Sequence, residues 1–433
     1  MEKIQISNFA GLRDVELEVS RVTGLIGPEA SGKSIIARLL YFFREMASLL
    51  PQAVMLGRES GQYNAECRER FQRYFPIGSG GAADFDITYT NTNTTGSEHV
   101  RVKFCGMPAA RQDALSLEWS EFYPRAMERL KRRRDELFGS LEEGDEYAAK
   151  EARTKLIKEY DGQAREVLGP WSSYEQMFIP AGRAFFSQVQ ASIFTTLHGG
   201  ESPDPFLAAF GSLLELTKPR LDEEGFYDLV KPDAFQAIRP SIKEILHAEL
   251  GRAKGQEFLQ FGDGRRVKLA QVSSGQQEAL PIVRLLALIF STSNWRGRAL
   301  YIEEPEPHLF PSTQKQIVEL IGSVFRARKD ELCLVVTTHS PYILTSFNNL
   351  LQAGKLWKDL IPKGDTRTAW QLSRTIRGSF DPGEVCFYAL EEGRARPIMD
   401  PGTGLIDASY IDQVSNDIAI EFDQLLAEGN EKP

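Results

Sequence analysis

A chain of 433 residues is long for a single hydrophobic core, so one large domain carrying insertions, or two domains, is expected. Its net charge of −9 argues against a protein coated in nucleic acid, though a local basic patch stays open, and no apolar run reaches the length of a membrane span. Four scattered cysteines (Cys67, Cys105, Cys333, Cys386) show neither metal-ligand spacing nor disulfide density; with a start that lacks a signal-peptide pattern, they predict reduced thiols in a cytoplasm.

The chain begins with "KIQIS" and "VELEV", which alternate as strands do, and "VTGLIG", a short apolar run ending in glycine. "GPEASGKS", Gly27 to Ser34, follows and opens the helical pattern "IIARLLYFFREM". G-x-x-x-x-G-K-S placed after a strand and before a helix is a phosphate loop. Gly27, Pro28, Glu29, Ala30, Ser31 and Gly32 would turn backbone N–H groups toward phosphate oxygens, and the helix N-terminus adds a favourable dipole. Lys33 is expected to reach the β- and γ-phosphates of ATP, and the Ser34 hydroxyl to ligate Mg²⁺.

Farther along, "DFDITYT" and "EHVRVKFC" alternate around the polar "NTNTTGS" and predict a β-hairpin. Pro124 to Phe138 reads as a charged helix, "GSLEEG" as a turn, and Asp145 to Leu168 as a second helix. Together they predict an antiparallel helical hairpin no longer than about 36 Å. The run Lys131-Arg132-Arg133-Arg134 reads either as a solvated face with i,i+4 pairs or as a contact surface for nucleic acid or an acidic partner. "IPAGRAFFSQVQASIFTTL" suits a packed helical lobe, and "GDG", Gly262 to Gly264, suits a hairpin turn.

Three more segments carry chemistry. In "LAQVSSGQQEALPIVRLLALIF" a serine precedes an apolar helix, which by itself is a plain N-cap. In "ALYIEEPEPHLFP" a buried strand ends in two adjacent carboxylates, Glu303 and Glu304. Repelling neighbours of this kind need a cation or a shared proton, unless the strand merely ends in a solvated acidic turn. "LCLVVTTHSPYIL" is a second buried strand, ending at His339.

The order of these segments resembles an ABC-type ATPase head, as in SMC and Rad50 proteins and the OLD family; "IEEPEPHLFP", "TTHSPYIL" and "FIPAGR" (Phe178 to Arg183) point to the OLD-like branch. Within it the chain looks most like the ATPase subunit of two-component anti-phage systems such as PARIS. The likeness covers about residues 1–45 and 255–350. It implies a signature motif at Ser273, Ser274, Gly275 and Gln276 that touches the γ-phosphate held by an opposite subunit, and a switch histidine at His339. It also implies that Glu303 supports Mg²⁺ through water, where such heads usually carry Asp, and that Glu304 orients the attacking water as general base. Glu306 and His308 fall where such heads place a loop communicating between two sites, although His308 also suits a surface turn between prolines. Gln176 matches, weakly, a glutamine linking Mg²⁺ to the helical lobe, and Arg183 follows Pro-Ala-Gly as a motif residue or a solvated arginine.

The expected fold is therefore α/β: one ABC-type head over 1–433, with a mixed sheet around the phosphate-loop helix built from 1–50 and 255–375. An inserted β-hairpin and helical lobe would fill 50–255, including the helical hairpin at 124–168, and a hairpin turning at Glu392-Gly393 plus an amphipathic helix would fill 376–433. Single-chain OLD nucleases carry a TOPRIM nuclease domain with Asp-x-Asp. No such pair follows Glu392 here, so the resemblance implies a separate effector, of TOPRIM nuclease type, under ATP control and released by a phage-encoded trigger. Self-association as a head-to-head dimer or larger oligomer is implied as well. A DNA-binding repair ATPase of the SMC, Rad50 or RecF kind is the alternative, and a membrane partner is not expected.

Overall fold

The computed structural model describes residues 1–76, 84–92, 96–104, 115–139, 141–142, 144–183, 204–217, 232–253, 256–292, 294, 296–365, 367–368, 371, 376–407 and 419–425. Cys105, the tip of "NTNTTGS", all of "AFFSQVQASIFTTL" and the first half of the C-terminal helix expected from Asp407 lie outside them.

Fully buried strands read as continuous apolar runs, and three of them form the centre of the molecule. They are β3 (Val22–Ile26), β11 (Arg298–Glu303) and β12 (Leu332–Thr338), and every residue in them is buried. Parallel pairing of β3 with β12 and of β12 with β11 brings Ile26, Thr338 and Glu303 to one edge of the sheet. Loops at the carboxyl ends of parallel strands are where an α/β sheet builds its site.

Strands with alternating sequences extend this centre on one side. β1 (Glu2–Phe9), β2 (Leu12–Val19), β4 (Phe85–Thr92), β5 (Ser97–Phe104) and β6 (Leu115–Trp119) pair in antiparallel fashion. β7 (Glu175–Ile179) lies parallel to β11. β13 (Val385–Glu391) lies parallel to β3 and forms a hairpin with β14 (Arg394–Pro397). Among the described residues these make one eleven-stranded sheet in the order β6-β5-β4-β1-β2-β14-β13-β3-β12-β11-β7. A small sheet of β8 (Glu249–Ala253), β9 (Gln256–Gln260) and β10 (Arg266–Lys268) stands apart, with Gly264 in a left-handed turn between the last two.

The nucleotide-binding core is accordingly wider than the expected 1–50 and 255–375. β7 comes from inside the insertion, and β13 comes from the C-terminal segment and sits against the phosphate-loop strand. Close packing fixes that neighbour, since a Cβ on Gly24 would fall 2.0 Å from the Phe387 ring.

Helices cover both faces, and the two-residue period of the strands sorts the contacts. Ala299, Tyr301, Cys333 and Val335 join a core with α1 (Lys33–Met55), α2 (Ser60–Tyr74), α3 (Phe122–Phe138) and α4 (Glu146–Leu168). Leu300, Ile302, Leu334 and Val336 join the opposite core with α6 (Pro232–Leu246), α7 (Ser274–Ser291), α8 (Pro311–Ala327) and α9 (Pro341–Lys363); α5 (Pro205–Thr217) contacts β7. Among the described residues no helix is long and apolar enough to cross a membrane.

α3 and α4 form a short hairpin stapled by Arg133, whose Nε and Nη2 donate to Glu159 at 2.7 and 2.9 Å. The basic run is largely neutralised nearby: Lys131 pairs with Glu59, Arg133 also with Glu136, and Arg134 with Asp135. The solvated-face reading fits these pairs. Pro51 interrupts α1 and removes the donor to the Ala47 carbonyl, and the Tyr160 hydroxyl of α4 donates to that carbonyl instead at 2.6 Å.

Under α1, Arg44 is 1 % exposed and donates two bonds to Glu2, at 2.8 and 2.9 Å, and a third to the Tyr301 hydroxyl at 3.1 Å. This pair ties the first strand to α1 and β11. Arg44→Met leaves Glu2 buried without its cation and is expected to cost about 3–5 kcal/mol, read as a lower urea midpoint with an unchanged slope. An unchanged midpoint contradicts the assignment.

Candidate functional site

The phosphate loop joins β3 to α1. A chain reversing this tightly needs left-handed backbone, which occurs at Ala30 (φ 57°) and Gly32 (φ 95°); a Cβ on Gly32 would also sit 2.5 Å from Leu12. Lys33 is 4 % exposed, and its ammonium donates to the carbonyls of Gly27 and Pro28 at 2.8 and 2.7 Å. Burial pulls the Lys33 pKa down, while Glu304, Glu29 and Glu306 oppose that. The Ser31 hydroxyl oxygen is buried without a hydrogen-bond partner, and the first turn of α1 carries neither an acidic residue nor a side-chain cap. An anion at this helix start would meet free backbone donors, a buried ammonium and an unsatisfied hydroxyl, so the loop fits the phosphates of a nucleotide.

Glu303 ends β11 with its side chain on the α1 face. One carboxylate oxygen accepts from Arg38 Nε at 3.3 Å and the other from the Ala181 backbone N–H at 3.2 Å. Arg38 lies one turn beyond Ser34 on α1, so Ser34 and Glu303 lie toward the same face. Among the described residues no group of three His, Cys, Asp or Glu side chains is placed to hold a metal ion. Mg²⁺ bound here would use Ser34, Glu303 and phosphate oxygens, the sparse protein set that this cation commonly accepts.

Glu304 leaves the strand in a left-handed conformation (φ 42°) that a non-glycine residue adopts at a cost of about 1–3 kcal/mol. Its N–H donates to the Thr337 carbonyl at 2.9 Å. His339, just past β12, holds Nδ1 3.7 Å from Glu304 and 3.5 Å from Glu306. The carboxylates at the strand end and the histidine therefore come together, next to Lys33.

Arg183 is fully buried, which excludes the solvated reading. Its guanidinium donates to the carbonyls of Glu303 and Glu304 at 2.9 Å each, of Pro180 at 3.2 Å, and of Glu278 in α7 at 3.1 Å. Burial lowers its pKa, and Glu278, Glu306, Glu304 and Glu303 counter the effect. One rigid fork thus fastens both acidic residues to the helix that begins at Ser274.

At that helix start Ser273 accepts from the Gln276 N–H, and Gln276 returns a bond to the Ser273 N–H at 3.2 Å. This capping box is the plain structural reading made real. Ser273 and Ser274 are exposed all the same. A Cβ on Gly275 would fall 2.7 Å from the His308 carbonyl, so the glycine lets the helix start meet the loop after β11.

One expectation needs correction. Gln176 stands opposite Ala299 in the β7–β11 register, well down the strand from Glu303, and bonds Tyr301 and the Tyr174 carbonyl. The parallel register delivers Ala181, not Gln176, to the acidic end. Glu306 lies in the loop after β11 as expected, but it is 4 % exposed and sits against His339, while His308 (φ 58°) faces solvent. Burial raises the Glu306 pKa against the donors of His339 and Thr338.

Residues 208–344 match a family described as AAA ATPase domain. The match includes Ser273 to Gln276, the Glu303-Glu304 strand end and His339. No curated protein matches the chain. Among solved structures, the SMC head domain from Thermotoga maritima is 12% identical, with 92% of this chain and 97% of that one covered and a TM-score of 0.37. An Smc head bound to the C-winged helix domain of ScpA is 11% identical, over 92% and 96%, at a TM-score of 0.42. A dimeric ATP-binding cassette in a post-hydrolysis state is 11% identical, over 91% and 97%, at 0.27. These scores are low, and the fold assignment rests on the sheet described above.

The domain match, the phosphate loop and the acidic strand end together define the class: the chain is an ATPase. Arg183→Lys supplies one ammonium where the fork serves four carbonyls. ATP turnover is expected to fall about 10- to 100-fold with nucleotide binding retained. Undiminished steady-state hydrolysis would show that the clamp has no part in the site.

Proposed function

We propose that the chain works as an ABC/SMC-type ATPase head that closes with a second copy around ATP and Mg²⁺. The observation that carries this reading is the exposed start of α7. Ser273 and Ser274 face solvent at a helix N-terminus that Arg183 ties to Glu303 and Glu304. A second copy bringing its γ-phosphate to that start would be sensed at the first copy's own acidic centre. Phe310 and Tyr342, 74% and 53% exposed, begin α8 and α9 close to Glu306 and His339 in the chain and supply apolar surface for that contact.

Within one head, Lys33 and the loop N–H groups bind phosphate and Ser34 and Glu303 hold the metal. Bound Mg²⁺ would neutralise charge on the β- and γ-phosphates. Glu304 accepts a proton from water, and His339 stands beside it. Glu303 is one methylene longer than Asp and already answers to Arg38, which fits slow turnover.

We further propose that this ATPase is the switch subunit of an anti-phage complex, controlling a separate TOPRIM-type nuclease or other effector in response to a phage-encoded trigger. Support comes from the OLD-like phrases around Glu303, His339 and Arg183. The DNA-binding repair ATPase is the competing reading, and the acid-paired Lys131-to-Arg134 run gives it little help.

Glu304→Gln is expected to bind ATP, to lose about 10²-fold or more of turnover, and to elute as a dimer only with ATP and Mg²⁺. A monomer under saturating ATP contradicts the composite site. Tagged Glu304→Gln, purified from cells carrying the native gene neighbours, should retain one stoichiometric protein. Recovery with DNA alone, in a salt-sensitive manner, favours the repair reading.

A further inference from the structure

Glu306 is the buried group at this centre that the scheme above leaves without a task. Its side chain is 3% exposed, yet both hydrogen bonds it accepts converge on one oxygen, Oε1: the His339 backbone N–H at 2.8 Å and the Thr338 hydroxyl at 2.7 Å. Oε2 is buried and has no partner. A carboxylate costs several kcal/mol to bury, so a site that keeps one half-satisfied needs a reason.

The surroundings of Oε1 supply it. His339 Nδ1 lies 3.5 Å from Glu306 and 3.7 Å from Glu304. An imidazole left to Glu304 alone would engage the one carboxylate that must stay free to take a proton from water. Glu306 competes from below for the same ring nitrogen, and by gripping the His339 peptide it also fixes where the ring starts. A polar chain makes that grip rigid. Thr338 Oγ1 accepts from the Ser340 N–H at 3.0 Å, Ser340 Oγ donates to Gln314 at 2.6 Å, and Gln314 Nε2 donates to the Leu309 carbonyl at 3.0 Å. The loop after β11 and the turn after β12 are thereby locked together beneath the histidine. The charged groups acting here are Glu304 on the loop after β11, Lys33 on the phosphate loop and Arg183 behind the strand end; Gln314 of α8 and Ser340, just before α9, are neutral.

We propose that Glu306 is a positioning residue for hydrolysis: it anchors His339 through the peptide N–H and draws Nδ1 from Glu304, leaving Glu304 free and Nε2 turned toward bound phosphate. The proposal rests on the ATPase reading of the site, and its test is chosen to separate the two.

Glu306→Gln keeps the size and the Oε1 acceptor but loses the charge facing Nδ1, and Glu306→Asp keeps the charge on a shorter stem. With ATP and Mg²⁺, Glu306→Gln is expected to lower kcat about 10- to 100-fold while KM stays within about threefold, and Glu306→Asp to recover part of the loss. Adding Glu306→Gln to His339→Ala should cost nothing beyond His339→Ala alone. Losses that multiply, or a Gln variant with wild-type kcat, overturn the proposal. A second readout does not require hydrolysis: the ¹⁵N resonances of the His339 ring, one of five histidines, recorded without nucleotide. They should move in Glu306→Gln. Unchanged ring resonances overturn the positioning role even if ATPase activity is intact, whereas a wild-type chain without turnover but with shifted resonances in the variant counts against hydrolysis alone.

Discussion

Three carboxylates of one sign, Glu303, Glu304 and Glu306, meet within four residues of the end of β11, and the rest of the site answers to that constraint. Two like charges about 4 Å apart repel by about 4 kcal/mol at an effective dielectric near 20, so cations must be built in around them. The structure distributes that role. Arg38 faces Glu303, the His339 ring lies between Glu304 and Glu306, and Lys33 is buried near Glu304 and Glu306. Arg183 adds its charge behind the strand while bonding only main-chain carbonyls of Glu303 and Glu304, which leaves both side chains free to turn toward the nucleotide side. ATP would add negative charge to this balance, and Mg²⁺ and the ammonium of Lys33 would offset it. Lys33 now spends its donors on its own loop, a grip that phosphate oxygens could replace without moving α1.

The sheet explains why these groups converge. Parallel pairing of β3, β12 and β11 stacks three carboxyl ends in one row, and each supplies one part: the phosphate loop, the histidine and the acids. The C-terminal hairpin belongs to the same machine. Its β13 runs beside β3, and a Cβ on Gly27 would come within 2.4 Å of the Leu390 carbonyl, so the hairpin forms the floor of the phosphate loop. Both faces of the sheet are covered, which suits strands that are buried at every position. The buried Arg44–Glu2 pair, reached from a helix that Pro51 would otherwise weaken, fastens the outer strands to this centre.

Much of this was legible because the signals were local. A phosphate loop is a turn between a strand and a helix, the serine of an N-cap sits within its own helix, and an all-apolar run marks a strand buried on two faces. The α/β architecture follows from those. What escaped depended on register and on long-range partners. Gln176 has the right residue type two positions before the "FIPAGR" phrase, but the pairing of β7 with β11 sets it opposite Ala299 and sends Ala181 to the site. Arg183 looked equally suited to solvent, because nothing in its neighbours announces that Glu278, ninety-five residues on, will meet its Nε. Glu306 was read from its place in a loop, yet the tight turn with left-handed His308 folds it inward. The sequence did not mark β13 as a core strand either, since a terminal hairpin and an inserted one share the same alternation.

The most direct test of the account is a structure of the Glu304→Gln chain with ATP and Mg²⁺. The account predicts two copies enclosing the nucleotide, with Ser273 and Gly275 of one copy at the γ-phosphate bound to the loop of the other. Lys33 should have moved from the Gly27 and Pro28 carbonyls to phosphate, and His339 should remain seated on Glu306. Nucleotide bound to a single copy, with the start of α7 still facing solvent, would contradict it.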